Sequence, residues 1–409
     1  MKLSCNIRFL GVLAGCCLAC VTSLGQTVAY THATIETMGP DGQIQNGTLV
    51  VRGDTILEVG SAVEIPHDAR IVSMTGKTIM PGMIDPYFVY QKNSSGGGTR
   101  TVNFGGRTFT IPGRASFSAG SFSRIGEYFY PYKFDFMPAV RSGITTGNLV
   151  SDGRGLSALA NISDQRSPEM LFEPEGFMFA KLTNQTSGLD IVRKPLEPGS
   201  SKRPTKSSST KGSTDHSAEK SSADKIKELW DSIREGKSPL FVNVNNQASV
   251  AHLLQIVKKH EKVRLILVAT GPNLFESLDN LKENGNVTVV LQPGIDTVPF
   301  TRDLMNVSKM LAVNEIPFAI SMSLSSSQLR TSQDDPMFPL AMLVRTGLDR
   351  ETTLKSVTIK PAELLGIEKT HGSLEKDKQA SFLVFDGDPL ETGTRLEQVI
   401  LNGEKTYEN

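Results

Sequence analysis

The most constraining feature of the chain is a regular alternation between residues 240 and 365. Short apolar runs with β-branched residues take turns there with longer amphipathic segments. Leu240-Phe-Val-Asn-Val244, Val263-Arg-Leu-Ile-Leu-Val-Ala269, Val287-Thr-Val-Val-Leu-Gln292 and Phe318-Ala-Ile-Ser321 read as buried strands. Residues 248–260, 273–283, 301–314, 338–347 and 350–365 read as helices. The first of these ends in Lys258, Lys259 and His260, which suit the negative end of a helix dipole. Strands that alternate with helices predict a parallel sheet wrapped by helices. With further strands over 79–84 and 143–150, the natural closure is a (β/α)8 barrel.

Both ends of the chain have a different rhythm. Thr48-Leu-Val-Val-Arg52, the turn Gly53-Asp54 and Thr55-Ile-Leu-Glu-Val-Gly60 predict a hairpin. Ser381-Phe-Leu-Val-Phe385, a turn at Asp386-Gly-Asp-Pro389 and Gln398-Val-Ile-Leu401 predict another. Neither end carries enough strands to bury a core alone. Pairing them into one small composite β-sandwich solves that. The expected fold class is therefore α/β: a TIM-like barrel over 79–366, with a sandwich built from 26–78 and 367–409.

Three segments fall outside this plan. Residues 1–25 read as an export signal, with Lys2 and Arg8 ahead of an apolar run over 9–21 that is too short to span a bilayer. Ser23 and Gly25 suit cleavage before Gln26, whereas Leu13-Ala14-Gly15-Cys16 resembles a bacterial lipobox that would leave a lipidated Cys16. The chain is thus expected to be periplasmic or secreted, or anchored as a lipoprotein. Residues 198–224 are rich in Ser, Lys and Thr and predict a disordered surface insertion. Residues 90–137 predict a long irregular loop with Ser94-Ser95-Gly96-Gly97-Gly98 early and Tyr128, Phe129, Tyr130, Tyr132, Phe134 and Phe136 late. These aromatics either wall a pocket or pack the loop onto the barrel; burial is the commoner fate of such rings.

Composition removes several chemistries. All four cysteines (Cys5, Cys16, Cys17, Cys20) lie in the leader, so a chain cut before Gln26 has no disulfide, thiol nucleophile or thiolate site. The 43 basic and 43 acidic residues cancel, which gives no bulk charge for nucleic acid. No phosphate loop, nucleophile elbow or Ser/His/Asp spacing is present.

Lys77-Thr-Ile-Met-Pro-Gly-Met-Ile-Asp85 resembles the entry to the first barrel strand of the amidohydrolase superfamily, imidazolonepropionase-like branch, which reads V-x-P-G-L-I-D-x-H-x-H. Ile359-Lys-Pro-Ala-Glu-Leu-Leu-Gly366, Gly372-Ser-Leu-Glu375 and Phe382-Leu-Val-Phe-Asp-Gly-Asp-Pro389 are similar to that family's last helix and its return to the sandwich. Asn46-Gly-Thr-Leu-Val-Val-Arg52 and Gly143-Ile-Thr-Thr146 are weaker matches. The resemblance implies hydrolysis of carbon–nitrogen bonds with zinc or another divalent metal. It also implies oligomers, either of this chain or of this chain with an active relative.

The ligand positions depart from that pattern. Tyr87 and Val89 stand where the two histidines bind metal on one side of a strand. Asn243 or Asn245 stands where a strand-end histidine is expected, Thr270 where His-Gly is common, and Ser323 where the last strand supplies an aspartate that serves as ligand and base. The six histidines (His32, His67, His216, His252, His260, His371) form no His-x-His and none is placed at a barrel strand end, so each reads as a surface or packing residue. Asp85 matches an aspartate that is often structural; Lys181 reads as a simple charged strand end, the alternative being the strand-four lysine that some members carboxylate; Asp334-Asp335 reads as a loop or a helix cap, the alternative being a paired-carboxylate acid/base. The expected mouth is a neutral hydrogen-bonding surface of Tyr87, Asn243, Asn245, Thr270, Gln292 and Ser323 beside Asp85. No metal or other cofactor is expected there, and the chain is expected to bind a small molecule or to pair with an active relative; the alternatives are an active hydrolase of non-peptide carbon–nitrogen bonds in cyclic amide-like substrates, and a purely structural envelope protein whose mouth is collapsed.

Overall fold

The computed structural model describes residues 25–90, 99–104, 107–112, 122–165, 167–182, 188–197, 222–271, 274–298, 300–324 and 335–409. Residues 1–24 of the leader, the Ser94–Gly98 run, Asp334 and residues 198–221 of the expected insertion lie outside them. Residues 222–224, expected to be disordered, instead open the helix Ser222–Arg234. That helix turns Ile233, Leu229 and Trp230 onto the core, and this burial offsets the cost of ordering its polar start.

The two ends of the chain meet in one eight-stranded sheet. Its order is Glu404–Glu408, Leu396–Leu401, Phe382–Phe385, Thr78–Pro81, Thr27–Glu36, Gln43–Arg52 and Thr55–Gly60, with Arg70–Ser73 also paired to Thr27–Glu36. The junction is Phe382–Phe385 running antiparallel to Thr78–Pro81. Register shifts after Thr31 and Ala33 bend the sheet, as bulges do. It curls over a small core of its own that includes Tyr30, Leu49, Ile56, Ile79, Leu374, Phe382 and Val384.

The barrel strands follow in order. Met83–Val89 pairs parallel with Ile144–Val150. Met178–Lys181, Leu240–Val244, Leu265–Ala269, Val287–Leu291 and Phe318–Ile320 form a continuous parallel run. Their near-uninterrupted apolar sequences reflect burial on both faces. Between the two groups, the stretch made of Arg154–Leu156 and Ala158–Asn161 runs the opposite way. It pairs antiparallel with Ile144–Val150 on one side and with Met178–Lys181 on the other. The barrel is thus TIM-like with one reversed strand.

Its closure is also unusual. Among the described residues, Phe318–Ile320 and Met83–Val89 share no hydrogen-bonded ladder. Instead the Ile320 N–H donates to the Ser356 carbonyl (2.9 Å) and the Ile84 N–H to the Val357 carbonyl (2.8 Å). Those carbonyls are free because the helix expected over 350–365 breaks into Arg350–Lys355 and Ile359–Leu365, with Thr358 at φ −126° and ψ −90° between them. Two other expected helices are shorter. The segment 301–314 is helical only over Val307–Val313, because Asn306 caps it by accepting from the Lys309 N–H, and its start joins a small hairpin of Asp296–Thr297 with Leu304–Met305. The segment 273–283 divides into a 3-10 turn, Leu274–Ser277, and one short helix, Leu278–Lys282.

The aromatic loop divides by residue type. Phe129, Phe134 and Phe136 pack with Phe88 and Tyr90, and the Tyr90 hydroxyl accepts from the Tyr130 N–H and donates to the Tyr130 carbonyl. Tyr128, Tyr130 and Tyr132 remain exposed. Residues 129–136 of the loop are thus fastened to the end of the first barrel strand.

Candidate functional site

Register determines which side chains share the barrel's interior. Lys181, Asn243, Val268, Val290 and Ala319 are direct partners across five adjacent parallel strands. Partners in register stand on one face of a sheet, and residues two further on share that face. Asn245, Thr270, Gln292 and Ser321 therefore form the next layer toward the C-terminal mouth. Ser321 identifies this face as the inner one, because its hydroxyl reaches across to Asp85 on the first strand, at 2.7 Å.

Asp85 is the centre of the closure. It is fully buried, and its Oδ1 accepts from the Ser321 hydroxyl and from the Tyr87 N–H (3.0 Å). Its Oδ2 accepts from the Ser323 N–H (2.8 Å). Burial pushes its pKa up, and the donors from Ser321, Tyr87 and Ser323 pull against that without overturning it. Tyr87 is buried beside it; its phenol is pushed up by burial first and by the Asp152 charge second. The Ser323 hydroxyl lies 3.5 Å from the Tyr87 carbonyl, at the limit of a hydrogen bond.

The expected mouth residues divide into two groups. Asp85, Tyr87 and Ser323 are joined as described, and the buried Asn243 accepts through Oδ1 from the Thr270 hydroxyl at 3.3 Å. Thr270 itself is exposed. Asn245 and Gln292 are exposed at the rim; Asn245 accepts from the neighbouring Asn246 side chain. Asp335 sits in a loop whose carbonyl accepts from the Phe338 N–H; the helix Phe338–Arg345 has no side-chain cap.

The expectation of a neutral mouth needs correction. The Lys181 ammonium donates to Asp152 Oδ1 at 2.6 Å, and both side chains remain about half exposed, at 41% and 60%. Asp152 reaches this place because the chain reverses there. Gly153, at φ +143°, turns the end of Ile144–Val150 into the antiparallel Arg154–Leu156, and its carbonyl accepts from the Lys181 N–H at 2.7 Å. Sequence reading missed Asp152, although an Asp-Gly pair between two apolar strands is a turn signal. It also missed Ser321, which no motif marks.

A model of the amidohydrolase family matches residues 130–405. The chain belongs to the amidohydrolase family. Solved structures with the same fold include an amidohydrolase from Thermotoga maritima MSB8, with TM-score 0.68 and 17% identity over 93% of this chain and 100% of that one. A prolidase complexed with N-methylphosphonate-L-proline aligns with TM-score 0.53 and 13% identity over 94% of this chain and 100% of that one. A β-aspartyl dipeptidase from Fervidobacterium islandicum AW-1 aligns with TM-score 0.50 and 15% identity, over 94% and 97%. At these identities the likeness concerns fold alone. No curated protein matches the sequence.

The divalent metal implied by the amidohydrolase resemblance does not fit these donors. Among the described residues no group of three or more His, Cys, Asp or Glu side chains is close enough together to hold a metal ion. Asp85 spends both oxygens on donors of the protein, and Asp152 is paired with Lys181. What remains near them is hydroxyl and carboxamide oxygen, weak donors with no proton to exchange near neutrality.

Proposed function

We propose that this amidohydrolase-family chain acts in the cell envelope without a divalent metal centre, by binding a small molecule at the barrel mouth or by pairing with an active relative. The observation that carries this reading is the state of Asp85. Its carboxyl bridges the first and last barrel strands through Ser321, Ser323 and Tyr87. A network of the protein's own donors thus stands where the family's sequence pattern brings histidines and an aspartate together. Metal-assisted hydrolysis needs a bound water ionised near neutral pH, and at the positions the resemblance gives to metal ligands stand Tyr87, Val89, Asn243 or Asn245, Thr270 and Ser323.

Family membership favours one rival, a working hydrolase of non-peptide carbon–nitrogen bonds in cyclic amide-like substrates. Elemental analysis of the purified, processed protein separates the two. The expected result is metal far below one equivalent per chain and no change in melting temperature with added zinc. Stoichiometric metal that disappears when one mouth residue is replaced would establish the rival. N-terminal sequencing and lipid labelling at Cys16 test the envelope assignment and tell cleavage before Gln26 from lipidation.

A further inference from the structure

We infer that the Lys181–Asp152 pair at the barrel mouth is the recognition element for a small zwitterion, an α-amino acid, whose carboxylate takes Lys181 and whose ammonium takes Asp152. This rests on the reading of the mouth as a metal-free binding site and names the class of its ligand.

Three observations support it. First, the pair belongs to the site. Lys181 is the register partner of the buried Asn243 and shares the inner face with Thr270. Asp152 accepts from the Lys181 ammonium at 2.6 Å, on the turn that follows the barrel strand Ile144–Val150. Second, the pair contributes little to the fold. With side chains 41% and 60% exposed, it is a solvent-screened ion pair of the kind that adds little to stability. The antiparallel turn that presents Asp152 is held by backbone bonds, Lys181 N–H to Gly153 carbonyl among them. Third, charge selects the ligand. An anion on Lys181 alone would face the Asp152 carboxylate, and a cation on Asp152 alone would face the Lys181 ammonium. A molecule with both signs one carbon apart exchanges a single intramolecular pair for two charge-assisted bonds and leaves neither partner opposed. Asn243, the register partner of Lys181, lies on the same face beside it.

The test is thermal-shift and calorimetric titration of the full processed protein with the standard L-α-amino acids, one at a time, at millimolar concentration. At least one is expected to raise the melting temperature. Its amide, which lacks the carboxylate, and its N-acetyl derivative, which lacks the ammonium, are expected not to. The shift should vanish in Lys181→Met and in Asp152→Asn, with Lys181→Gln as a second variant if the first unfolds. The proposal is overturned if no amino acid shifts the protein, if the shift survives both substitutions, or if the N-acetyl derivative binds equally well. Metal analysis of the same samples reports independently: stoichiometric zinc defeats the metal-free reading whatever the amino acids do.

Discussion

Two side chains, Asp85 on the first barrel strand and His371 after the last barrel helix, make the protein's stability depend on pH in opposite senses. The Asp85 carboxyl is pushed above its ordinary value by burial, with the donors from Ser321, Tyr87 and Ser323 opposing. The folded state therefore keeps its proton to higher pH than the unfolded chain does. The stability this contributes is complete below the unfolded carboxylate pKa and is lost as pH rises through the raised folded value. Asp85→Asn removes that titration. Urea-unfolding stability should fall less steeply with pH in the variant than in the parent across that window, and equal slopes would contradict the assignment. His371 runs the other way. It stacks on Phe172 at 5.4 Å and 18°, and burial, then the Lys378 charge, push its pKa down to about 4. The unfolded chain takes up that proton near pH ~6.5, so stability is lost as pH falls from there toward about 4. His371→Gln should flatten this acid-side loss, read as the melting temperature followed across the same range.

At the scale of elements, the departures from the expected pattern come from local bonds that hydrophobic periodicity does not encode. A cap at Asn306 shortens one helix, and the break at Thr358 divides another, freeing the carbonyls that close the barrel. The reversed strand depends on close backbone approach. A Cβ on Gly155 would lie 1.9 Å from the Ser123 carbonyl oxygen, which belongs to the short strand Phe122–Arg124 paired to it. That contact cannot be relieved by a rotamer, so Gly155→Ala must shift a strand. The expected cost is about 1–3 kcal/mol, read from the midpoint of urea unfolding. Gly285, which has open space around it, serves as the control, and its substitution by Ala should cost far less.

Across the whole molecule, the strand Phe382–Phe385 joins barrel and terminal sheet into one folding unit. Its alternate residues enter different cores: Leu383 and Phe385 join the barrel's, while Phe382 and Val384 join the terminal sheet's. The same strand pairs with Thr78–Pro81, immediately before the first barrel strand. Calorimetry should therefore show one unfolding transition rather than two. Phe385→Ala, which empties a fully buried ring position, should lower the stability of the whole by about 3–5 kcal/mol. A variant in which the terminal sheet melts separately while the barrel keeps its midpoint would contradict that coupling.

The alternation of strand and helix, the pairing of the two ends and the family motifs around Asp85 and Phe382 were legible in the chain because each is a local pattern. Period-two and helical repeats report burial, and Gly, Pro and Asp report turns. Residue identity is read from the chain in the same way: Tyr87, Val89, Asn243 or Asn245, Thr270 and Ser323 stand at the positions the resemblance gives to ligands. The company those residues keep was not. Asp85 and Ser323 are 238 positions apart, and Lys181 and Asp152 meet only because one strand runs backward. Such contacts depend on where the backbone returns, and on which polar atoms find a partner once water is excluded. Only the folded barrel, with its interior closed to solvent, makes that choice.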